Sequence, residues 1–277
     1  MEEEKRKPKW KILTMTQLKL LAVVLMVFDH VRQMFIVDGT AIMPDWFGML
    51  GRLVLPLFLF AAAEGMFYTH SRKKYMIQLL IGYEAMVVLN AVISRAMPSE
   101  AALINNVFGT LFMMALYIYL IDRLKDGFRE DNWKKILSSL GLILLPVIIG
   151  FICLIGLGLL IEGRGAMSMG ATQIAVTAIT AIPNFFALEG GVFMAGLGAA
   201  FYYTRKWPYL QIASLIASSV YTFFLPGNEW QWMMVFAAVP ILMYNGERGR
   251  GNKYFFYIFY PAHIYFLYIL AWLIMQH

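Results

Sequence analysis

Apolar runs, each about long enough to cross a bilayer and joined by short polar turns, fill most of this chain, and that pattern dictates its fold class. In hydrocarbon a helix closes its backbone hydrogen bonds within itself, so runs of about 17 to 25 apolar residues read as spanning helices. They lie near residues 17–37, 48–69, 75–95, 104–121, 135–160, 187–204, 209–225, 230–244 and 254–275. With 60% hydrophobic and only 14% charged residues, and a mean hydropathy of +0.65, the composition is far from that of a soluble domain of 277 residues. The expectation is an all-α polytopic transmembrane bundle of nine to ten spans, one domain over residues 1–277 with a basic tail at 1–16. Spans and turns use up nearly the whole length, so any site must be built between helices.

Residues 171–186 decide the count. They are apolar but rich in Thr and Ala, and short for a span. If they do not cross, eighteen of the 23 Lys and Arg residues share one side, in the N-terminal tail and the turns at 72–74, 123–135, 205–206 and 248–253. The positive-inside rule then favours nine spans plus a re-entrant or interfacial piece, with the N-terminus cytoplasmic and His277 outside the cell membrane; ten spans is the alternative. The first run is too long, and lacks the small-residue exit, of a cleaved signal, so it reads as a retained helix. Cys153 alone excludes an intramolecular disulfide and a cysteine-based metal site, and reads as a small hydrophobe. The formal net charge of +6 is explained by these topogenic turns, and no nucleic-acid partner is expected.

Chemistry points to the few ionisable groups at membrane depth, which are costly there and functional by default. The first span, LKLLAVVLMVFDHVRQMFIV, carries Asp29, His30 and Arg32. Asp29 and Arg32 are three residues apart and are expected to neutralise each other; His30 points about 100° away, which leaves its imidazole for chemistry, or for a packing hydrogen bond to a neighbouring helix. In the second span, Arg52 and Glu64 are about 18 Å apart along a helix, so each needs a partner elsewhere, and Pro56 is expected to open the backbone near the middle. Asn105 and Asn106 open the fourth span as interhelical hydrogen-bonding amides. In the last, Tyr260 and His263 share a face after a glycine-rich basic turn containing Arg248, Arg250 and Lys253. Those cations either bind phosphate or merely set topology. A metal is not expected, because neither histidine belongs to an H-x-x-x-H or H-E-x-x-H pair.

Six collinear pieces resemble the TraX family, named for the enzyme that N-acetylates F-pilin. They are Leu25-Met-Val-Phe-Asp-His30, Gly51-Arg-Leu-Val-Leu-Pro-Leu-Phe58, Glu64-Gly65 with Tyr68-Thr69, Asn106-Val-Phe108, Tyr244-Asn-Gly-Glu-Arg-Gly249 and Tyr254-Phe-Phe-Tyr-Ile-Phe-Tyr-Pro-Ala-His263. The chain departs at Arg32, where a small residue is common, and at Gln78, where the family often has arginine. The resemblance implies an acyltransferase-3-like membrane enzyme taking acetyl-CoA from the cytoplasm and no metal. Its acceptor would be a peptide amine or a glycan or lipid hydroxyl. It makes His30 the catalytic base, with Asp29 tuning the site, and Arg52, or His263 with Tyr260, stabilising the oxyanion. Glu64 would line the acceptor or pantetheine path. Arg72, Lys73, Lys74, Asn245, Arg248 and Lys253 are the candidates to hold coenzyme A. Other classes are a proton-coupled transporter using Asp29, His30 and Glu64, against which stands the lack of an inverted repeat, and a non-enzymatic scaffold.

Overall fold

The computed structural model of the chain describes residues 8–104, 106–162, 169–185, 188–226, 229–251 and 253–275. Asn105, Arg164, His277 and the side chain of Lys253 lie outside the described parts. The architecture is all-α apart from one two-stranded hairpin. In chain order the helices are α1 (Met15–Met34), α2 (Asp45–Gly51), α3 (Val54–Tyr68), α4 (Arg72–Ala96), α5 (Val107–Arg129), α6 (Trp133–Glu162) and α7 (Met169–Ala181). Then come α8 (Gly191–Tyr203), α9 (Pro208–Phe223), a 3-10 helix over Gln231–Ala237 that runs into α10 (Ala238–Leu242), and α11 (Lys253–Met275).

Among the described residues, five helical stretches are long and apolar enough to cross a membrane: Asp45–Tyr68, Arg72–Ala96, Val107–Arg129, Trp133–Leu160 and Tyr254–Met275. This is a multi-pass membrane protein. α1 has the length, at 20 residues, but carries Lys19, Asp29 and Arg32; α9 has only 16 residues. The ambiguous 171–186 segment is helical over Met169–Ala181, about 20 Å of rise, less than the hydrocarbon thickness.

Three local features differ from the expected elements. The first span stops at Met34, where strands β1 (Ile36–Val37) and β2 (Thr40–Ala41) pair antiparallel around Asp38-Gly39, both residues left-handed as a two-residue hairpin requires. The second span is broken at Arg52-Leu53, one turn before Pro56 and not at its middle. Proline at 56 has no N–H to give the carbonyl of residue 52, so the break falls at the group that loses its partner. The run at 230–244 is in part a seven-residue 3-10 helix, longer than such helices usually extend.

The described residues form two compact units, one of residues 1–64 with 203–277, the other of residues 65–202. In the first unit the segment entering α1 meets the turn that precedes α11. Leu13 and Tyr244 form a parallel bridge, and the Glu247 and Arg248 carbonyls accept from the Met15 and Thr16 amides. With Thr14 capping α1 through Gln17, this first turn of α1 is saturated by protein. The turn closes this tightly because residue 249 is glycine: its φ is +73°, and a Cβ there would lie 2.5 Å from Thr14 Oγ1. α1 and α11 therefore start on the same side and run parallel, with Lys19 of α1 over the Phe256 ring of α11. In the second unit α4 packs on α5 and α7, and α5 on α6. Asn106 donates to the Tyr83 carbonyl at 3.0 Å, and Arg72 at the start of α4 binds Asp122 and Tyr202.

Candidate functional site

The buried stripe of α1 reads Leu18, Ala22, Met26, His30, Met34, so His30 occupies a core position with 2% exposure. On α11, Tyr260, His263, Ile264 and Leu267 are buried. The two stripes bring His30 Nδ1 to 2.7 Å from His263 Nε2, and His263 Nδ1 lies 2.8 Å from the Phe259 carbonyl oxygen. The neighbouring rings pack around them: Phe259 stacks on His263 at 4.9 Å, and the Tyr260 ring lies edge-on at 6.4 Å from His30 and 5.9 Å from His263.

This chain of contacts assigns the protons. A carbonyl only accepts, so His263 carries its proton on Nδ1 and, in the neutral pair, offers the Nε2 lone pair. His30 must donate to it from Nδ1, and the lone pair of His30 then resides on Nε2. The result is a base whose tautomer and ring orientation are set by a second imidazole, itself set by the backbone, which is the logic of a base held by an orienting partner. A proton taken at Nε2 makes the His30–His263 bond charge-assisted and hence stronger.

Asp29 and Arg32 do not neutralise each other within α1 as expected; each takes its partner from the α2 segment. Arg52, the residue that caps the C-terminus of α2, donates to Asp29 Oδ1 at 3.2 Å, to Gln231 Oε1 at 3.3 Å and to the Gly48 carbonyl at 3.1 Å. Gln33 donates to Asp29 Oδ2 at 2.8 Å, one turn along α1. Arg32 binds Asp45 at 2.8 Å and lies over the Trp230 ring. Three residues apart on a helix is close enough for attraction, but a guanidinium on a second helix, aimed by a backbone carbonyl as Arg52 is by Gly48, has the better geometry.

Gly51 makes this approach possible. A Cβ at 51 would fall inside the Asp29 carboxylate. Gly51→Ala is therefore expected to push α2 off α1, break the Asp29–Arg52 pair and destabilise the protein by about 1–3 kcal/mol, as overpacking does. Gly48→Ala, whose Cβ would meet the flexible Arg32 side chain at 3.3 Å, is expected to cost less. Thermal unfolding of the two variants in detergent checks the order.

Glu64 is buried and accepts from Arg205 Nε at 2.6 Å, with the Tyr244 hydroxyl at 3.5 Å from its other oxygen. In the sequence Arg205 reads as a topogenic charge. The signal that could have found it is the need of a buried acid at 64 for a cation near some other helix end. Asn245 is used locally, its Oδ1 accepting from the Glu247 amide as in an Asx turn. Arg248 and Arg250 are exposed on the same turn, and Lys73 and Lys74 are exposed at the start of α4. Arg72 has its guanidinium on Asp122 at 2.6 Å and on Tyr202. Within the first unit the structure thus brings together His30, His263 and Tyr260, pairs Asp29 with Arg52, and pairs Glu64 with Arg205.

These features define a polytopic α-helical membrane protein that buries a histidine pair and holds two partly buried arginine–carboxylate pairs. The chain belongs to the TraX family: the family model described as TraX protein matches residues 14–166, more than half of its length. The match includes Asp29, His30, Arg52 and Glu64, whereas Tyr260 and His263 lie beyond it. The chain is also similar to the probable fimbrial assembly protein FimC, serogroup H1, of Dichelobacter nodosus, at 38% identity over 64 residues. That similarity covers 23% of this chain and 26% of the relative, so the chain spans about a quarter of the length of the curated relative it matches. No solved structure matches significantly.

Proposed function

We propose that this protein is a membrane-embedded acyltransferase that moves an acyl group from acetyl-CoA, taken from the cytoplasm, to an amine or hydroxyl acceptor at the membrane. The observation that carries the reading is the His30–His263 pair, a buried base with a defined lone pair at Nε2. In the reaction His30 Nε2 removes the acceptor's N–H or O–H proton as that atom attacks the thioester carbonyl. The carbonyl oxygen becomes an oxyanion, the C–S bond then breaks, and the departing sulfur receives the proton from His30. Arg52, paired with Asp29, the residue next to His30 in sequence, would stabilise the oxyanion, with Asp29 and Gln231 holding its guanidinium.

The donor would enter from the side on which α1 and α11 begin. Arg248, with Lys253, is the candidate for its phosphates, since Arg72 is already paired with Asp122. His30 lies about 22 Å along α1 from Met15, a depth that suits a long, flexible pantetheine arm. Parallel α1 and α11 imply an odd number of crossings, in keeping with nine spans, a cytoplasmic N-terminus and residence in the cell membrane. The similarity to a probable fimbrial assembly protein makes a protein amine one acceptor to test beside a glycan or lipid hydroxyl. Asp29 and Glu64 each sit in an ion pair with arginine, which argues against the proton exchange that a coupled transporter requires of them.

The test is a titration of detergent-purified protein with acetyl-CoA, following binding and release of free thiol. Slow hydrolysis of acetyl-CoA by the intact chain and weaker binding by Arg248→Ala are expected. A folded protein that neither binds nor consumes acetyl-CoA overturns the reading.

A further inference from the structure

Glu84 stands at the midpoint of α4, twelve residues and about 18 Å of helix from either end. A lysine or arginine near a helix end can snorkel to water, but a glutamate at mid-helix is too short to reach either interface. The side of α4 that packs on its neighbours is the stripe Met76, Leu79, Tyr83, Met86, and Glu84 is turned about 100° away from Tyr83, partly exposed. Around it the exposed face is apolar, with Ile77, Ile81 and Val88 each more than half exposed. Ala85, exposed beside it, leaves room for close approach of another helix.

Two other acids placed in spanning helices by the sequence, Asp29 and Glu64, each face an arginine. Among the described residues Glu84 has no hydrogen-bond or ion-pair partner. A second copy of the chain is poorly suited to supply one, because among the described residues every exposed lysine and arginine lies near a helix end or in a turn. Charge complementarity therefore asks for a cation that the described residues of this chain do not present at that depth.

We propose that the α4 face centred on Glu84 docks a transmembrane helix of another polypeptide, one that carries a lysine or arginine at mid-membrane depth. The apolar residues 77, 81 and 88 supply the packing surface, and Glu84 supplies register and selectivity, as a single polar group does between apolar helices. This docking is independent of the acyl-transfer reading.

The experiment uses the full chain in lipid vesicles with a fluorescent probe, a synthetic leucine-alanine spanning helix bearing one central lysine. The same helix with a central leucine, or with its lysine moved to one end, serves as comparison. Energy transfer from a donor dye on the protein is expected to show roughly tenfold tighter association of the central-lysine helix, a preference removed by Glu84→Gln. Equal association of the three probes, or a preference that survives Glu84→Gln in a protein that still elutes as one species, overturns the proposal. Efficient disulfide capture between Ile81→Cys copies without probe also overturns it, in favour of self-association.

Discussion

His30→Ala is expected to lower acetyl-CoA turnover by about 10²–10⁴-fold, the usual contribution of a positioned general base. The loss should appear in the chemical step and leave donor binding unchanged, because His30 is buried well away from the exposed turn carrying Arg248. His263→Phe keeps the ring packing against Phe259 but deletes the Nε2 lone pair that receives the His30 proton. His30 Nδ1–H would then be a buried donor without its acceptor, at a cost of about 1–3 kcal/mol, and the ring could turn or change tautomer. His263→Phe is therefore expected to lose turnover too, by less than His30→Ala, and the double variant should be no worse than His30→Ala alone, as for residues that act as a unit. Single-turnover thiol release by the folded variants measures this. Normal turnover by His30→Ala would sink the mechanism, and additive losses in the double variant would sink the dyad.

Arg205→Ala is expected to be the most destabilising single change outside the histidine pair. Glu64 is 6% exposed, and removing its cation leaves a buried charge uncompensated, which costs about 3–5 kcal/mol. Glu64→Gln should cost less, because the Arg205 side chain is 23% exposed and can turn its charge to water. Replacing both together, as Glu64→Leu with Arg205→Met, is expected to recover most of the loss, since a buried ion pair is commonly matched by apolar residues of similar volume. Thermal unfolding in a single detergent closes this cycle. If Arg205→Ala melts no lower than Glu64→Gln, the pair does not hold the unit together in the way its geometry indicates.

Much of the secondary structure was legible in the residues because it depends on local quantities. Apolar length located α4, α6 and α11 to within a few residues but ended α5 eight residues early, because its last two turns are polar, and the proline at 56 announced a break whose position one turn earlier follows from which carbonyl loses its donor. The hairpin at 36–41 was hidden because Phe35, Ile36 and Val37 continue the apolar run, and only Asp38-Gly39 betrays the turn. The need of Arg52 and Glu64 for partners beyond their own span was also readable, since about 18 Å of helix separates them.

The partners were decided by tertiary structure. His30 and His263 are 233 residues apart and Glu64 and Arg205 are 141 apart, and no periodicity links such positions. Asp29 had an arginine at i+3 within reach, yet Gly51 lets α2 come close enough for Arg52 to take that place, a choice set by steric room between two helices. The sequence by itself determined that this protein is a helical membrane protein with a few costly ionisable groups at depth, because hydrophobic length and the price of buried charge are properties of single segments. Only the tertiary structure decided which of those groups meet and which nitrogen of His30 holds the lone pair, because hydrogen bonds and ion pairs depend on ångström-scale distances between segments far apart in the chain.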